Sequence, residues 1–261
     1  MTVGILITAR LKSSRLPNKV MLEIAGKPVI SHMLDRVRAA KGIDKVVICT
    51  SINPQDDPLA RTAANENVFC YRGSEDDVLV RLYEAALEHK IDFIVNLSAD
   101  CPLIDPIHME SVIKAYKNTH ADHIAANRLP TGQGLWGIDV KALRKACEIK
   151  NETETEVWGN YFTESGFFKV HEIEVDPVYE HPTLKTSLDY PEDYVFLQRV
   201  FQELYVPGQI FSLKDVLRLV KEKPEVLSIN SRCKDLGSQH VLRTATPMRL
   251  KEIHKVYGGS H

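Results

Sequence analysis

Short, mainly apolar runs alternate with amphipathic segments along the first part of the chain, and this alternation restricts the chain to few folds. The runs lie at residues 3–7, 46–49, 68–71 and 91–97. Between them, apolar residues recur at helical spacing, as at Val29, Met33 and Val37. Continuous apolar runs are typical of strands inside a parallel sheet, and helices join such strands into right-handed βαβ units. The sequence therefore predicts an α/β fold with a doubly wound, mostly parallel sheet that binds ligands at the carboxyl ends of its strands.

The alternation stops beyond a helix that begins at Pro106. Residues 127–181 mix glycines with strand-like and helical patches, and we interpret this segment as an inserted arm. The pattern then resumes as one strand and two helices, predicted at Leu184–Leu188, Pro191–Leu204 and Leu213–Val220. We therefore expect one domain over residues 1–230, which contains the arm, followed by a basic C-terminal extension over residues 231–261.

The composition excludes several classes of protein. Lys and Arg total 33 against 35 Asp and Glu, a net charge of −2, so we expect no nucleic-acid partner and no anionic-membrane partner. No apolar run approaches the length of a membrane span, and the N-terminus lacks the long apolar stretch of a secretory signal. The five cysteines lack the close spacing of a zinc or redox motif. We therefore expect a cytoplasmic enzyme or binding protein.

A basic loop follows the first predicted strand, at the position where α/β sheets receive phosphate groups. It carries Arg10, Lys12, Arg15 and Lys19, and the first 22 residues contain no carboxylate. The loop has no glycine with which its backbone could approach a phosphate closely, so its side chains must provide most of the contacts. The alternative is a solvated basic loop in which Pro17 stiffens a turn, and spacing alone leaves both interpretations open.

Four motifs in order resemble those of cytidylyltransferases that make CMP-activated acidic sugars. They read ARLKSSRLPNK at 9–19 with GKP at 26–28, GSEDDVL at 73–79 with Arg81, ADCPLIDP at 99–106, and SLDYPED at 187–193. The family includes CMP-Kdo and CMP-sialic acid synthetases, and the likeness is greatest to its SpsF branch. The resemblance implies a fold of the nucleotide-diphosphosugar transferase type, with CTP held over the first half of the sheet.

The resemblance also gives the basic loop a role in binding the nucleotide. By motif position, Arg10 and Lys19 would hold the triphosphate of CTP, and Arg15 would support the same loop. Ser13 could add a hydroxyl contact to the nucleotide, although a hydrogen bond within the local turn is the alternative.

Two further assignments follow from motif position. Arg81 would lie near the nucleotide, or it could pair with Asp77 one helical turn away. The segment 127–181 would receive the acceptor and pair subunits in a homodimer. We hypothesise that Trp158, Tyr161 and Phe162 pack across that dimer.

Two aspartates follow predicted strands and could share a metal ion. Asp100 ends the fourth strand, and Asp189 follows Leu188. The alternatives are a loop carboxylate that bonds local amides for Asp100 and a cap of the following helix for Asp189. The resemblance places metal-binding aspartates at both positions and implies Mg²⁺, which takes one or two carboxylates together with phosphates and water. Lys185 stands where SpsF-like chains tend to have an Arg-rich strand, so no acceptor-binding role is carried over to that strand.

The resemblance therefore implies an enzyme that transfers CMP from CTP to an acidic sugar of the 3-deoxy-2-ulosonic, sialic or legionaminic type. Pyrophosphate would be released, and the product would serve surface polysaccharide or glycoconjugate synthesis. Arg10, Lys19, Asp100 and Asp189 would carry the catalysis. One alternative is a glycosyltransferase of the same fold that uses a nucleotide-sugar donor, and another is a catalytically silent nucleotide-binding subunit.

Overall fold

A seven-stranded sheet that contains the four predicted strands forms the centre of the molecule. The structure is a computed structural model that describes residues 1–233, 236 and 248–251. Its strands are β1 (Val3–Thr8), β2 (Glu23–Ile24), β3 (Lys27–Pro28), β4 (Lys45–Ser51), β5 (Phe69–Gly73), β6 (Phe93–Ser98), β7 (His123–Ala125), β8 (Trp136–Asp139) and β9 (Val170–Glu172). Its helices are α1 (Val29–Ala39), α2 (Asp57–Asn65), α3 (Val78–Glu88), α4 (Pro106–Thr119), α5 (Val140–Ile149), α6 (Asn160–Thr163), α7 (Pro191–Leu204), α8 (Leu213–Glu222) and α9 (Pro224–Ser228).

The strand order of the sheet is β5-β4-β1-β6-β8-β7-β9. Strand β1 is parallel to β4 and to β6, and β4 is parallel to β5. Helices α1, α2 and α4 bury apolar residues against one face of the sheet, whereas α3 and α5 do so against the other. The predicted α/β fold with a doubly wound, mostly parallel sheet is confirmed.

The remaining elements surround the sheet. Strands β2 and β3 form a separate antiparallel pair that follows the basic loop and leads into α1. Helices α7 to α9 contribute to a third apolar cluster, in which Phe196 and Leu197 are fully buried. No helix in the part of the chain that the structure describes has the length and apolar character needed to cross a membrane. Most of the predicted extension over 231–261 lies outside the described residues.

The segment 127–181, predicted as an inserted arm, is partly built into the central sheet. Its strand β8 is antiparallel to β6 and to β7, and β9 is parallel to β7. At Gly137 of β8, an added Cβ would lie 2.6 Å from the ring of Phe93 and 2.7 Å from Val112, so only glycine allows this close packing. The segment is therefore no simple appendage of the sheet, and its role in receiving an acceptor stays a prediction.

The strand predicted at Leu184–Leu188 is wrong. The segment bends at Ser187 and makes only a single bridge, between Lys185 and Thr131, among the described residues. The N–H of Thr186 donates to the carbonyl of Thr131 at 2.7 Å, whereas the N–H of Leu188 donates to the backbone carbonyl of Asp100 at 2.8 Å. Because the segment divides its hydrogen bonds between two partners, it does not form a continuous ladder.

The hypothesis that three aromatic residues pack across a dimer is also wrong as stated. Trp158, Tyr161 and Phe162 are 7%, 2% and 1% exposed, and they pack within the same chain against the face of the sheet that α3 and α5 cover. Side chains buried in this way are not available to a partner subunit. The homodimer itself stays a prediction, and other residues would have to form its contacts.

Candidate active site

A cavity of about 500 Å³ lies at the carboxyl edge of the parallel strands, where the fold class places ligands. Its lining comes from the loop after β1, the start of α3, the end of β6 and the segment around Trp158. The residues predicted from the sequence that line it are Arg10, Ser13, Arg15, Lys19, Arg81 and Asp100. Asp189 lies beside this cavity, because it contacts Lys19 at 2.9 Å.

The structure brings Asp100 and Asp189 together from distant parts of the sequence. The backbone hydrogen bond from Leu188 to Asp100 places the two segments side by side. The Nζ of Lys19 donates to Oδ2 of Asp100 and, at 2.9 Å, to Oδ1 of Asp189. A cation of the basic loop therefore contacts both predicted metal ligands.

Neither carboxylate has the local role that was its alternative. The described partners of the Asp100 carboxylate are side chains, among them Ser98 and Lys19, and not local backbone amides. The start of α7 is capped by Asp193, whose Oδ2 accepts the N–H of Tyr190 at 3.0 Å. The side chain of Asp189 therefore does not cap α7.

A serine two residues earlier holds one oxygen of each aspartate. Ser98 Oγ donates to Oδ1 of Asp100 at 2.7 Å, and Ser187 Oγ donates to Oδ2 of Asp189 at 3.2 Å. In both carboxylates the other oxygen faces Lys19. These serines were not predicted from the sequence, although the Ser-x-Asp pattern repeated at both positions was an available signal.

A buried ion pair lies behind Asp189. Lys185 is 2% exposed, and its Nζ donates to Oδ2 of the fully buried Asp193 at 2.6 Å and to the carbonyl of Ser187 at 2.7 Å. The same ammonium lies 3.0 Å from Oδ2 of Asp189. Neither the ion pair of Lys185 with Asp193 nor its contact with Asp189 was predicted from the sequence.

The charges of this cluster shift the pKa values of its members. Burial alone would lower the pKa of Lys19, but the adjacent charges of Asp100 and Asp189 outweigh burial and hold it well above its ordinary value. For Asp189, burial would raise the pKa, but Lys19 and Lys185 hold it well below the usual range. Lys19 and Asp189 are therefore both charged at neutral pH.

Arg10 reaches into the cavity from the basic loop. Its guanidinium donates to the carbonyl of Glu75 at 2.9 Å and lies 3.1 Å from the carboxylate of Glu156 and 3.8 Å from that of Asp76. Lys12 is more exposed and contacts only Glu75 among these residues, at 3.4 Å. The basic loop is thus held by acidic side chains and is not simply solvated.

Ser13 and Arg15, two other residues of the basic loop, make different kinds of contact. Ser13 Oγ accepts the N–H of Leu16 at 3.3 Å, which is the turn hydrogen bond that was its alternative role. Arg15 contacts Oδ1 of Asp189 at 2.8 Å and lies over the ring of Tyr190 at 5.2 Å. Arg15 therefore belongs with the aspartate pair as well as with the loop.

Arg81 does not form the predicted alternative pair with Asp77. Its Nη1 donates to the carbonyls of Ser74 and Glu75 at 2.6 and 3.0 Å, and only 1% of the residue is exposed. Burial, together with the positive charge of Arg10, lowers its pKa. Arg81 therefore supports the turn that also binds Arg10.

The donor set at the aspartates fits Mg²⁺ and not a softer metal. Asp100, Asp189 and the two serines offer oxygen atoms, and Mg²⁺ prefers oxygen ligands with the remaining positions taken by phosphate and water. The thiol of Cys101 lies 3.5 Å from Asp100, but burial raises its pKa, so it stays protonated and a poor ligand. Within the described ranges, no group of three or more His, Cys, Asp or Glu residues could hold a metal ion.

Aromatic and polar residues that were not predicted complete the cavity. Asn96, Trp136 and Trp158 line it, and the two indole rings meet edge to face with centroids 5.5 Å apart. Trp136 lies in β8, beside Asn96 of β6. Because β8 was not recognised from the sequence, this side of the cavity could not be anticipated.

Comparisons with known proteins agree with the fold and the motifs. A sequence model of the family described as Cytidylyltransferase matches residues 4–219. The chain is 24% identical to spore coat polysaccharide biosynthesis protein SpsF of Bacillus subtilis over 229 residues, covering 84% of this chain and 94% of that protein. It is 36% identical to a 3-deoxy-manno-octulosonate cytidylyltransferase of Anaeromyxobacter over 141 residues, covering 50% of this chain and 56% of that protein.

A solved structure is similar over most of the chain. The structure of a cytidylyltransferase from Leptospira borgpetersenii superposes with a TM-score of 0.80 at 27% sequence identity. The superposition covers 87% of this chain and 97% of that one.

Proposed function

The chain belongs to the cytidylyltransferase family, and from this membership we propose that it transfers CMP from CTP to an acidic sugar. The acceptor would be of the 3-deoxy-2-ulosonic, sialic or legionaminic type. The observation that carries the proposal is the contact of Lys19 with Asp100 and Asp189 at the edge of a cavity lined by the basic loop. A triphosphate and a divalent cation both find complementary groups there.

The reaction would be an in-line displacement at phosphorus. An acceptor hydroxyl oxygen attacks the α-phosphorus of CTP, and the bond from that phosphorus to the pyrophosphate oxygen breaks. Pyrophosphate leaves with the electron pair of that bond, and the proton of the acceptor hydroxyl passes to water. Such a transfer needs little covalent help from the protein, so positioning and charge neutralisation supply most of the rate enhancement.

The residues of the cavity have distinct roles in this proposal. Arg10 and Lys19 hold the β- and γ-phosphates and stabilise the charge that develops on pyrophosphate. Asp100 and Asp189 would hold Mg²⁺, which when bound neutralises phosphate charge and makes the acceptor hydroxyl easier to deprotonate. Arg81 keeps the turn at Ser74 and Glu75 in place, and through this turn it orients Arg10.

The first test is a thermal-shift panel of CTP, UTP, GTP, ATP and UDP-sugars, each with and without Mg²⁺, because a bound ligand raises the melting temperature. We expect a shift that is selective for CTP and larger with Mg²⁺. Acidic sugars added with CTP should then release pyrophosphate. Shifts with nucleotide-sugars alone would support the glycosyltransferase instead, and the absence of any shift would contradict nucleotide transfer.

The Asp100→Asn variant tests in the same assays whether Asp100 belongs to the metal site. The amide cannot replace the carboxylate as an anionic ligand, so we expect turnover to fall by about a hundredfold or more, beyond the effect typical of outer-shell partners. CTP should still raise the melting temperature in the absence of Mg²⁺. Turnover equal to that of the unmodified protein would remove Asp100 from the metal site.

The proposal includes a homodimer that works in the cytoplasm, where CTP is available. Size-exclusion chromatography with light scattering should give twice the chain mass of 29.5 kDa. A mass of one chain at micromolar concentration would contradict the dimer without affecting the proposed reaction.

A further inference from the structure

We propose that Lys185, with the Ser187 hydroxyl, positions Asp189 for cation binding, an inference that rests on the proposed function. Lys185 lies 3.0 Å from Oδ2 of Asp189, and Ser187 Oγ lies 3.2 Å from the same oxygen. Oδ1 of Asp189 is left to face Lys19 and Arg15. The two oxygens of this carboxylate are therefore divided between a buried side and a cavity side.

Asp189 is held through its backbone N–H as well as through the buried oxygen of its carboxylate. Oδ2 of Asp193 accepts the ammonium of Lys185 at 2.6 Å and the backbone N–H of Asp189 at 2.9 Å. Asn230 donates to Oδ1 of Asp193 at 2.9 Å and to the carbonyl of Lys185 at 3.0 Å. One ion pair thus holds both the backbone and the carboxylate of Asp189, and Asn230 locks that ion pair in place.

Asp100 has no comparable support. Its Oδ1 is held by Ser98 and approached by the Cys101 thiol, and no lysine lies behind it among its described contacts. Asp100 also lies two residues after the end of β6, a strand that is hydrogen-bonded into the sheet, whereas Asp189 follows a segment that makes no continuous ladder. The aspartate with the weaker backbone support is therefore the one that has a buried lysine behind it.

A purely structural role for Lys185 is the competing explanation. Burying an ammonium is costly unless it is well paired, and Lys185 could simply neutralise Asp193 at the start of α7. Lys150 provides the comparison, because it is also buried and pairs with Asp77 at the start of α3. Lys150 has no contact with Asp100 or Asp189 among its described partners.

The experiment measures Mn²⁺ binding to the full-length protein in the presence of CTP, by electron paramagnetic resonance of the free ion. The variants are Lys185→Met, Ser187→Ala and Lys150→Met. CTP affinity without a divalent ion is measured by calorimetry, and the melting temperature is followed by circular dichroism. Ser187→Ala removes a single hydroxyl and so keeps the test decisive if Lys185→Met does not fold.

We expect Lys185→Met to weaken Mn²⁺ binding about tenfold or more, the effect typical of residues that orient a metal ligand. Ser187→Ala should weaken it in the same direction by a smaller factor, with CTP affinity unchanged within about twofold in both variants. Lys150→Met should lower the melting temperature but leave Mn²⁺ binding unchanged. If the two Lys→Met variants alter Mn²⁺ binding equally, or if Ser187→Ala alters nothing, the positioning role is wrong.

The unmodified protein separates this inference from the proposed function. If it binds neither CTP nor Mn²⁺ with CTP, the proposed function fails and the inference fails with it. If it binds both while the Lys185 and Ser187 variants do so equally well, only the inference is overturned.

Discussion

Lys19 has two competing sets of partners in the proposed reaction cycle. In the structure its ammonium contacts both aspartates, and their charges hold its pKa above its ordinary value. The proposed function requires the same ammonium at the triphosphate. A divalent cation between the aspartates would compete with Lys19 for the same carboxylate oxygens. When a bound triphosphate draws the Lys19 ammonium to its phosphates, these oxygens should become available to the cation.

Lys19→Met should therefore change two affinities in opposite directions. Without nucleotide, Mn²⁺ should bind the variant about tenfold more tightly, a difference of about 1.4 kcal/mol, because the competing charge has gone. CTP without metal should bind more weakly by a similar factor, because a phosphate contact is lost. Calorimetric titration of each ligand measures both effects.

Lys12→Met is the matched control for this prediction. Lys12 lies on the same loop and carries the same charge, but its side chain is 64% exposed and contacts Glu75 instead of the aspartates. Nucleotide-free Mn²⁺ binding should be unchanged in this variant. Equal Mn²⁺ affinities of the Lys19→Met variant and the unmodified protein would contradict the competition.

His123 is a buried imidazole whose pKa is shifted by burial alone. It is 1% exposed, stacks on Phe162 with centroids 5.1 Å apart, and neither ring nitrogen has a hydrogen-bond partner among the described residues. Burial lowers its pKa to about 4. The folded protein therefore resists a proton that the unfolded chain accepts below a pH of about 6.5.

The sign of the resulting pH effect follows from this difference. The folded state is not penalised by His123 above pH 6.5, and stability is lost as the pH falls toward 4, by about 3 kcal/mol in total. His123→Phe removes the titration and keeps an aromatic ring against Phe162. Urea unfolding at pH 7 and pH 4 should show a smaller loss in the variant, and an equal loss would refute this assignment.

At the scale of elements, Asp105 joins two helices. Its Oδ1 accepts the N–H of Ile107 in the first turn of α4, and its Oδ2 accepts the N–H of Leu213, the first residue of α8, at 2.6 Å. The cap of α4 has a local sequence signal, because an Asp followed by Pro is typical of a helix start, whereas the contact with α8 has none. One carboxylate therefore holds the start of α8 against the start of α4.

Asp105→Ala should destabilise the protein by about 2 to 4 kcal/mol. The loss combines a helix cap, worth about 1 kcal/mol, with a buried N–H of Leu213 left without an acceptor, worth about 1 to 3 kcal/mol. Asp176→Ala, which removes an exposed cap that accepts the N–H of Val178, should cost about 1 kcal/mol or less. Equal shifts of the urea midpoint in the two variants would show that the contact with α8 contributes nothing.

The elements that were predicted correctly are those whose residues carry a clear local pattern of apolar spacing or helix start and stop signals. Strands β1, β4, β5 and β6 are apolar over most of their length, and α7 begins and ends at the predicted residues Pro191 and Leu204. Strand β8 has four residues and owes its place to Gly137, which fits against Phe93. Such a strand is selected by its neighbours and leaves little periodic signal in the sequence.

The residues of the candidate site also fall into two groups: those that a local sequence motif reveals and those that only the structure reveals. Arg10, Lys19, Asp100 and Asp189 lie within motifs that are continuous in sequence, so they could be named in advance, and the structure brings them to one edge of the sheet. Lys185 contacts Asp189 across a segment whose backbone hydrogen bonds are divided between Thr131 and Asp100. Contacts of this kind depend on long-range backbone hydrogen bonds, which a single sequence does not reveal.

At the scale of the whole molecule, charge is distributed unevenly. The chain has a net charge of −2, whereas the cavity is lined by five cations and three carboxylates. The cations are Arg10, Lys12, Arg15, Lys19 and Arg81. The cavity therefore has an excess of positive charge in a molecule whose net charge is negative, and this excess favours a polyanion such as a nucleoside triphosphate.

CTP affinity should therefore depend on ionic strength more than CMP affinity does. At 0.1 M salt, exposed charges more than about 10 Å apart are largely screened from one another. Raising NaCl from about 0.05 to 0.5 M should therefore weaken CTP binding roughly tenfold. CMP carries fewer charges and should lose only a few-fold. Calorimetry without divalent ions measures both slopes, and parallel slopes would mean that the nucleoside, and not the triphosphate, makes the contacts that matter in this cavity.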